Sequence, residues 1–164
     1  MTLVRPWRKA DLPAIRQVAW DSWAAAYGEF IPETDRRVFH ESYYAPEKLK
    51  NLFDSKIVEG CVALSGDKIV GYSKTHWDIH RSEFFVTSLY VLPQYQKLKL
   101  GKQMLEYGIE SARQYVTDRV WLGVMVENKP AIQWYVRQGF VFVENKPFTI
   151  GNTIIDDLIG YKLI

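Results

Sequence analysis

The run LYVLPQYQKLKLGKQML, from Leu89 to Leu105, constrains this chain more than any other stretch. Its first residues are apolar and β-favouring, and Pro93 ends that pattern. A short polar loop with Lys97 and Lys99 follows, and the apolar spacing then changes to that of a helix. A strand, loop and helix start in this order is a place to hold a phosphate. The first turn of a helix has free backbone N–H groups and the positive end of the macrodipole. Gln96, Lys97, Lys99, Gly101 and Lys102 crowd into that turn, so the chemistry is expected to use a phosphorylated ligand.

A second stretch, VENKPAIQWYVRQGF from Val126 to Phe140, has the same design. The apolar run Val120–Val126 predicts a central strand, apolar on both faces. Asn128 precedes a short helix that starts at Pro130 and is closed by Gly139. Two neighbouring strands that each feed a helix at one sheet edge make a crevice there.

Elsewhere the spacing predicts a strand over Leu3–Trp7, then a helix from Asp11 to Tyr27 with Pro13 in its first turn. Short helices are expected after Pro32 and Pro46. Strands are expected over Cys61–Leu64 and Ile69–Thr75, joined at Gly66-Asp67, and over Phe84–Leu92. A helix over Leu100–Tyr115 and a closing strand pair, Phe140–Val143 with Ile154–Leu163, complete the pattern. The 164 residues contain no repeat or linker, so one domain of mixed α/β (α+β) layers is expected across residues 1–164.

The charge balance, 21 basic against 19 acidic residues, is too even to argue for nucleic acid. Cys61 is the single cysteine, which excludes an intramolecular disulfide and a cysteine-rich metal site. The segment HWDIH carries His76, Asp78 and His80, but three such residues on one loop read as a solvated turn, and no metal is expected. No stretch is apolar and long enough to span a bilayer, and the N-terminus lacks a signal-peptide pattern. The expected location is cytoplasmic.

These residues together resemble the GNAT superfamily of N-acetyltransferases. Gln96 and Gly101 match the first and last positions of its glycine-containing loop, after LYVLPQYQ. Asn128, Ala131, Tyr135, Gly139 and Phe140 match its second motif, and SWAAAYGEFIP resembles its first-helix segment. The closing segment PFTIGNTIIDDLIGYKLI, with Gly151 and Asp157, is most similar to the PaiA-type spermine/spermidine acetyltransferases. The resemblance implies a mostly antiparallel twisted sheet flanked by helices, with its central strands splayed.

It also implies acetyl-CoA as cosubstrate. Backbone N–H groups of Leu98, Lys99, Leu100, Gly101 and Lys102 would take the pyrophosphate, beside Gln96 and Lys97. The edge at Leu89 and Val91 would pair with the pantetheine arm like an added strand. The amide near Leu89 or Tyr90 would face the oxyanion. Asn128 would bond the cofactor near the thioester, although its position equally suits a helix cap. Tyr135 matches the family's tyrosine that meets the leaving thiolate.

Lys99 stands where the family has a glycine. A helix start has near-helical φ and ψ, which lysine accepts without strain, so Lys99 is expected to add charge beside the phosphates. The lysines also read as a plain solvated face.

The acceptor implied is a polyamine or other small primary amine. A protein N-terminus or lysine, and a non-catalytic acyl-CoA sensor, are the alternatives. An alkylamine is protonated at pH 7, and freeing its lone pair costs about 4–5 kcal/mol. The site where some relatives carry a glutamate base is Thr87, which cannot serve. Trp23 and Tyr27 are expected to wall the acceptor pocket, with Asp21, Glu29 and Glu33 nearby to attract a cation. The same aromatics also fit a core stripe. A homodimer is one option the resemblance leaves open.

Overall fold

The computed structural model describes all residues, Met1–Ile164. Seven strands form one sheet in the order β1-β2-β3-β4-β5-β7-β6. They are β1 (Thr2–Pro6), β2 (Val58–Ser65), β3 (Lys68–Asp78), β4 (Glu83–Val91), β5 (Arg119–Met125), β6 (Val141–Ile150) and β7 (Thr153–Leu163). Helices α1 (Leu12–Tyr27), α2 (Glu33–Tyr43), α3 (Pro46–Asp54), α4 (Leu100–Ala112) and α5 (Lys129–Arg137) flank it. No helix is long and apolar enough to cross a membrane.

Every strand pair is antiparallel except β4 with β5. That parallel pair is brief. Phe84 faces Val120 and Phe85 faces Trp121, and the ladder ends there. From Val86 onward the β5-facing edge of β4 has no strand partner. A bulge accompanies the parting: Lys74 pairs with Ser88 and Thr75 with Val86, so Thr87 is the extra residue. Such a bulge bends its strand and increases its twist, which turns β4 away from β5. The splayed centre is therefore built by local sheet geometry.

The core divides accordingly. Ile15, Val18 and Ala19 of α1 pack with Val62, Val70 and Tyr72 of the sheet, and with Leu100 and Met104 of α4. Phe84, Leu105, Val120, Leu122 and Tyr135 form a second cluster beyond the splay. Leu100 and Met104 are fully buried, and each such side chain contributes roughly 1.5–3 kcal/mol. These residues fix where α4 starts, and so fix the loop before it.

Several boundaries differ from expectation. The β2 strand starts at Val58 rather than Cys61, and β3 runs past Thr75 to Asp78, so His76 and Asp78 lie on the strand rather than in a loop. The α4 helix stops at Ala112 rather than Tyr115, and Thr117 and Asp118 turn the chain into β5. The β6 strand runs on to Ile150, through Pro147. Pro147 is tolerated because β6 is the sheet edge, where one side needs no donor. Its hairpin with β7 turns at Gly151, whose φ of +57° suits glycine. Asp35 of α2 holds that tip, accepting from the Asn152 N–H at 3.0 Å and the Thr153 hydroxyl at 2.6 Å.

Candidate active site

The parted strands enclose a cleft of about 610 Å³. Val86–Val91 of β4 line one wall and Leu122–Val124 of β5 the other. Gln96, Lys97, Lys99, Gly101 and Lys102 close one end. Asn128, Ala131, Trp134 and Tyr135 close another, and Ser22, Ala26 and Tyr27 of α1 reach in from the side. The two motifs thus meet across one opening.

The loop Pro93–Leu98 winds as a 3-10 helix into α4. Gln96 donates from Nε2 to the Val91 carbonyl at 3.1 Å, which ties the loop to the end of β4. Lys99 has φ +60° and ψ 15°, the left-handed conformation. This corrects the expectation of unstrained helical angles there. A non-glycine residue costs roughly 1–2 kcal/mol in this region, so the position asks for glycine and carries lysine. The Gln103 N–H bonds to the Lys99 carbonyl as the first intrahelical bond of α4. The amides of Leu100, Gly101 and Lys102, ahead of it, are the orphan donors of that helix.

Leu100 itself is buried in the core, and the Leu98 side chain is exposed outside the cleft lining. Gly101 faces the opening: a Cβ there would meet Trp134 at 3.6 Å and Leu89 at 3.8 Å, ordinary contact distances. The protein alone therefore leaves room for alanine at 101, and glycine keeps that room free.

Asn128 caps α5, accepting from the Ala131 N–H, while its Nδ2 donates to the Tyr27 hydroxyl at 3.4 Å. Tyr135 is nearly buried, edge-on to Trp134 at 4.9 Å and to Phe140 at 5.5 Å. Burial pushes its phenol well above the ordinary value, and the neighbouring Tyr27 adds to the shift. The surroundings therefore favour the protonated phenol.

Trp23 and Tyr27, expected side by side on the acceptor wall, part company. Tyr27 lines the cleft. Trp23 is buried behind it, stacked on Phe39 at 4.1 Å, and its indole N–H donates to the Tyr90 hydroxyl at 2.8 Å. The exposed acids also stay outside: Asp21 accepts from Gln17 and Glu33 pairs with Arg37. In the HWDIH segment, Asp78 accepts the N–H groups of His80 and Arg81, a turn-closing role. No group of three or more His, Cys, Asp or Glu is placed to hold a metal ion. Thr87 donates to the Lys74 carbonyl at 3.2 Å.

The Acetyltransferase (GNAT) family model matches residues 12–140. This chain belongs to the GNAT acetyltransferase family. As an N-acetyltransferase of that family, it has acetyl-CoA as its implied cosubstrate. It is 25% identical, over 94% of its length and 92% of the relative's, to an uncharacterized N-acetyltransferase in the pepI 3′ region of Lactobacillus delbrueckii subsp. lactis. It is 28% identical to the aminoalkylphosphonate N-acetyltransferase of Salmonella typhimurium, over 66% of this chain and 69% of that one. Among solved structures, PaiA N-acetyltransferase from Thermoplasma acidophilum in complex with coenzyme A shares the fold of this GNAT chain at a TM-score of 0.85. That match has 21% identity and covers 100% of this chain and 99% of the other.

Sequence reasoning missed the bulge at Thr87 and the left-handed Lys99. The mismatch between the lysine and the family's glycine was the available signal for the second.

Proposed function

We propose that this enzyme moves the acetyl group of acetyl-CoA to a small primary amine, with a polyamine as the leading acceptor, by direct attack in a ternary complex. One observation carries the reading: the β4 edge loses its partner after Phe85, and the gap lies between the lysine loop and Tyr135.

The pantetheine arm would pair with the free edge at Leu89 and Val91 as an added strand does. The amides from Leu98 to Lys102, with the orphan donors Leu100, Gly101 and Lys102 among them, would hold the pyrophosphate, helped by the positive end of α4 and by Lys97, Lys99 and Lys102. Gln96 contributes by bracing the loop. The amide near Leu89 or Tyr90 would donate to the oxyanion that forms when the amine attacks. Asn128 keeps Tyr27 and the start of α5 in register around the thioester.

Tyr135 would donate its hydroxyl to the leaving sulfur. A free thiol titrates near ~8.5, below a phenol, so the tyrosine supplies a hydrogen bond and passes on a proton from the amine. It does not need to end ionised. The small-amine preference is supported by the aminoalkylphosphonate relative, by the likeness of the closing hairpin to polyamine enzymes, and by Tyr27 at the side entrance.

Thiol release from acetyl-CoA, measured with spermidine, an aminoalkylphosphonate and a peptide with a free N-terminus, tests the reading. Turnover is expected with a small amine and strongest with spermidine. Tight acetyl-CoA binding with no turnover on any amine would identify a sensor, and no binding would sink both readings.

A further inference from the structure

The acceptor's proton needs a destination, and the β4 wall, Val86–Val91, carries no carboxylate or histidine. A carboxylate stands on the other wall. Asp157 of β7 pairs with Met125 of β5, and its neighbour Ile159 pairs with Gly123. Gly123 lines the cleft. A Cβ built on Gly123 would come within 3.3 Å of the Asp157 Oδ2 and 3.1 Å of the Ile159 side chain. The missing side chain at 123 is what brings the carboxylate up to the β5 wall. Its Oδ1 is buried and has no hydrogen-bond partner. An unpartnered buried carboxylate oxygen is costly when charged, which strengthens the carboxylate's hold on a proton, while Oδ2 is the oxygen nearest Gly123.

Tyr27 is the neighbour from α1. Burial raises the Tyr27 phenol, the charge of Asp157 adds to the rise, and Tyr27 also receives the Asn128 amide. Gly123, Tyr27 and Asn128 line one side of the opening, opposite the lysine loop, and Asp157 stands just behind Gly123.

We propose that Asp157 is a catalytic residue: its carboxylate takes the proton from the acceptor's ammonium as the amine enters beside Gly123 and Tyr27. This rests on the acetyl-transfer reading above. One N–H bond of the ammonium breaks and an O–H bond forms on Asp157. The freed lone pair attacks the thioester carbonyl carbon. The C–S bond then breaks with its electron pair on sulfur. The nitrogen, acidic once bonded to the acyl carbon, gives its second proton to the thiolate through the Tyr135 hydroxyl. Asp157 returns its proton to water. The sum is ammonium plus acetyl-CoA giving amide, coenzyme A thiol and one solvent proton.

The surroundings suit a base that works at neutral pH. Desolvation pushes the Asp157 carboxyl up to about 6, which leaves it ionised at pH 7 yet more basic than a free aspartate. Among its neighbours, Tyr27 faces it from α1 and Lys146 stands opposite it on β6, with the Lys146 ammonium 3.5 Å from Glu144. Met125 and Gly123 on β5 and Ile159 on its own strand do not titrate.

The test is the pH profile of thiol release with spermidine, for wild type and Asp157→Asn, alongside coenzyme A affinity and melting temperature. The wild-type kcat/KM is expected to fall on the acid side near pH ~6, with the carboxylate. Asp157→Asn is expected to lose about 100-fold at pH 7 and to lose that limb. The gap should shrink as pH approaches the amine's own pKa, while coenzyme A affinity stays within about twofold of wild type, because the carboxylate lies off the phosphate end. A folded variant that keeps its rate and its acid limb overturns the proposal. If Asp157→Asn unfolds, Asp157→Glu decides: a displaced acid limb supports the role, and an unmoved one overturns it. Wild-type enzyme that binds acetyl-CoA but acetylates none of the three amine probes overturns the transfer reading, and this proposal with it.

Discussion

The indole N–H of Trp23 donates to the hydroxyl of Tyr90 at 2.8 Å, which joins α1 to the strand that lines the cleft. Trp23 and Tyr27 are buried, and the half-buried Phe39 and Tyr90 rings pack against them. Trp23→Phe keeps most of the packing but leaves the buried Tyr90 hydroxyl without this donor. A loss of roughly 1–3 kcal/mol is expected in denaturant unfolding. An unchanged midpoint would mean that Tyr90 finds another partner.

Tyr135→Phe removes one hydroxyl from the cleft and keeps the ring against Trp134 and Phe140. The expected result is a drop in kcat of about 100-fold with acetyl-CoA affinity preserved. Steady-state kinetics beside equilibrium titration separate the two. Equal losses in both would assign Tyr135 to binding.

Lys99→Gly relieves the left-handed backbone at φ +60°. Melting temperature is expected to rise, by an amount worth up to about 1 kcal/mol, since glycine also frees the unfolded chain. Acetyl-CoA affinity is expected to fall several-fold, most at low salt, because a cation leaves the phosphate end. An affinity that rises would mark Lys99 as a steric compromise.

Gly101→Ala should move stability and affinity in the same directions for a different reason. Alanine is the better helix former by about 0.8–1.0 kcal/mol, and a methyl at this position meets Trp134 and Leu89 only at contact distance. Stability is expected to hold or rise. Acetyl-CoA affinity is expected to fall, because that methyl occupies the opening.

Acid stability follows two carboxylates. Asp11 accepts both arms of Arg5, at 2.7 and 2.9 Å, and the Arg8 N–H at 2.7 Å. The Arg5 hydrogen bonds, with the Arg8 amide behind them, hold its carboxyl below the usual value. The Thr153 hydroxyl and the Asn152 amide do the same for Asp35. A folded-state pKa below the unfolded one adds stability that is complete above the unfolded value, near ~3.9, and fades as pH falls through the folded value. Unfolding midpoints should therefore decline below about pH 4, and the decline should be shallower in Asp11→Asn, whose neutral side chain has no proton to take up.

Much of this arrangement was legible in the chain. The period change after Pro93 marked the loop, and Asn128 with Pro130 marked the start of α5, because caps and prolines act within a few residues. The apolar spacing of α1 and α4 likewise marked their buried faces. Features set by pairing between distant strands were not legible. The extra residue at Thr87 is defined only against Thr75 and Lys74, and the continuation of β6 to Ile150 only against β7. Trp23 and Tyr27 lie four apart on one helix face, and spacing alone does not tell which of them faces the cleft. The approach of Asp157 to Gly123 depends on β7 lying next to β5, a crossing that the order of elements does not state.

A crystal structure with coenzyme A bound would decide whether the β4–β5 gap holds the cofactor. The pyrophosphate is expected on the amides of Leu98–Lys102, the arm along Leu89–Val91, and the sulfur within hydrogen-bonding reach of the Tyr135 hydroxyl. Coenzyme A bound outside the β4–β5 gap, or with its sulfur turned away from Tyr135, would contradict this placement.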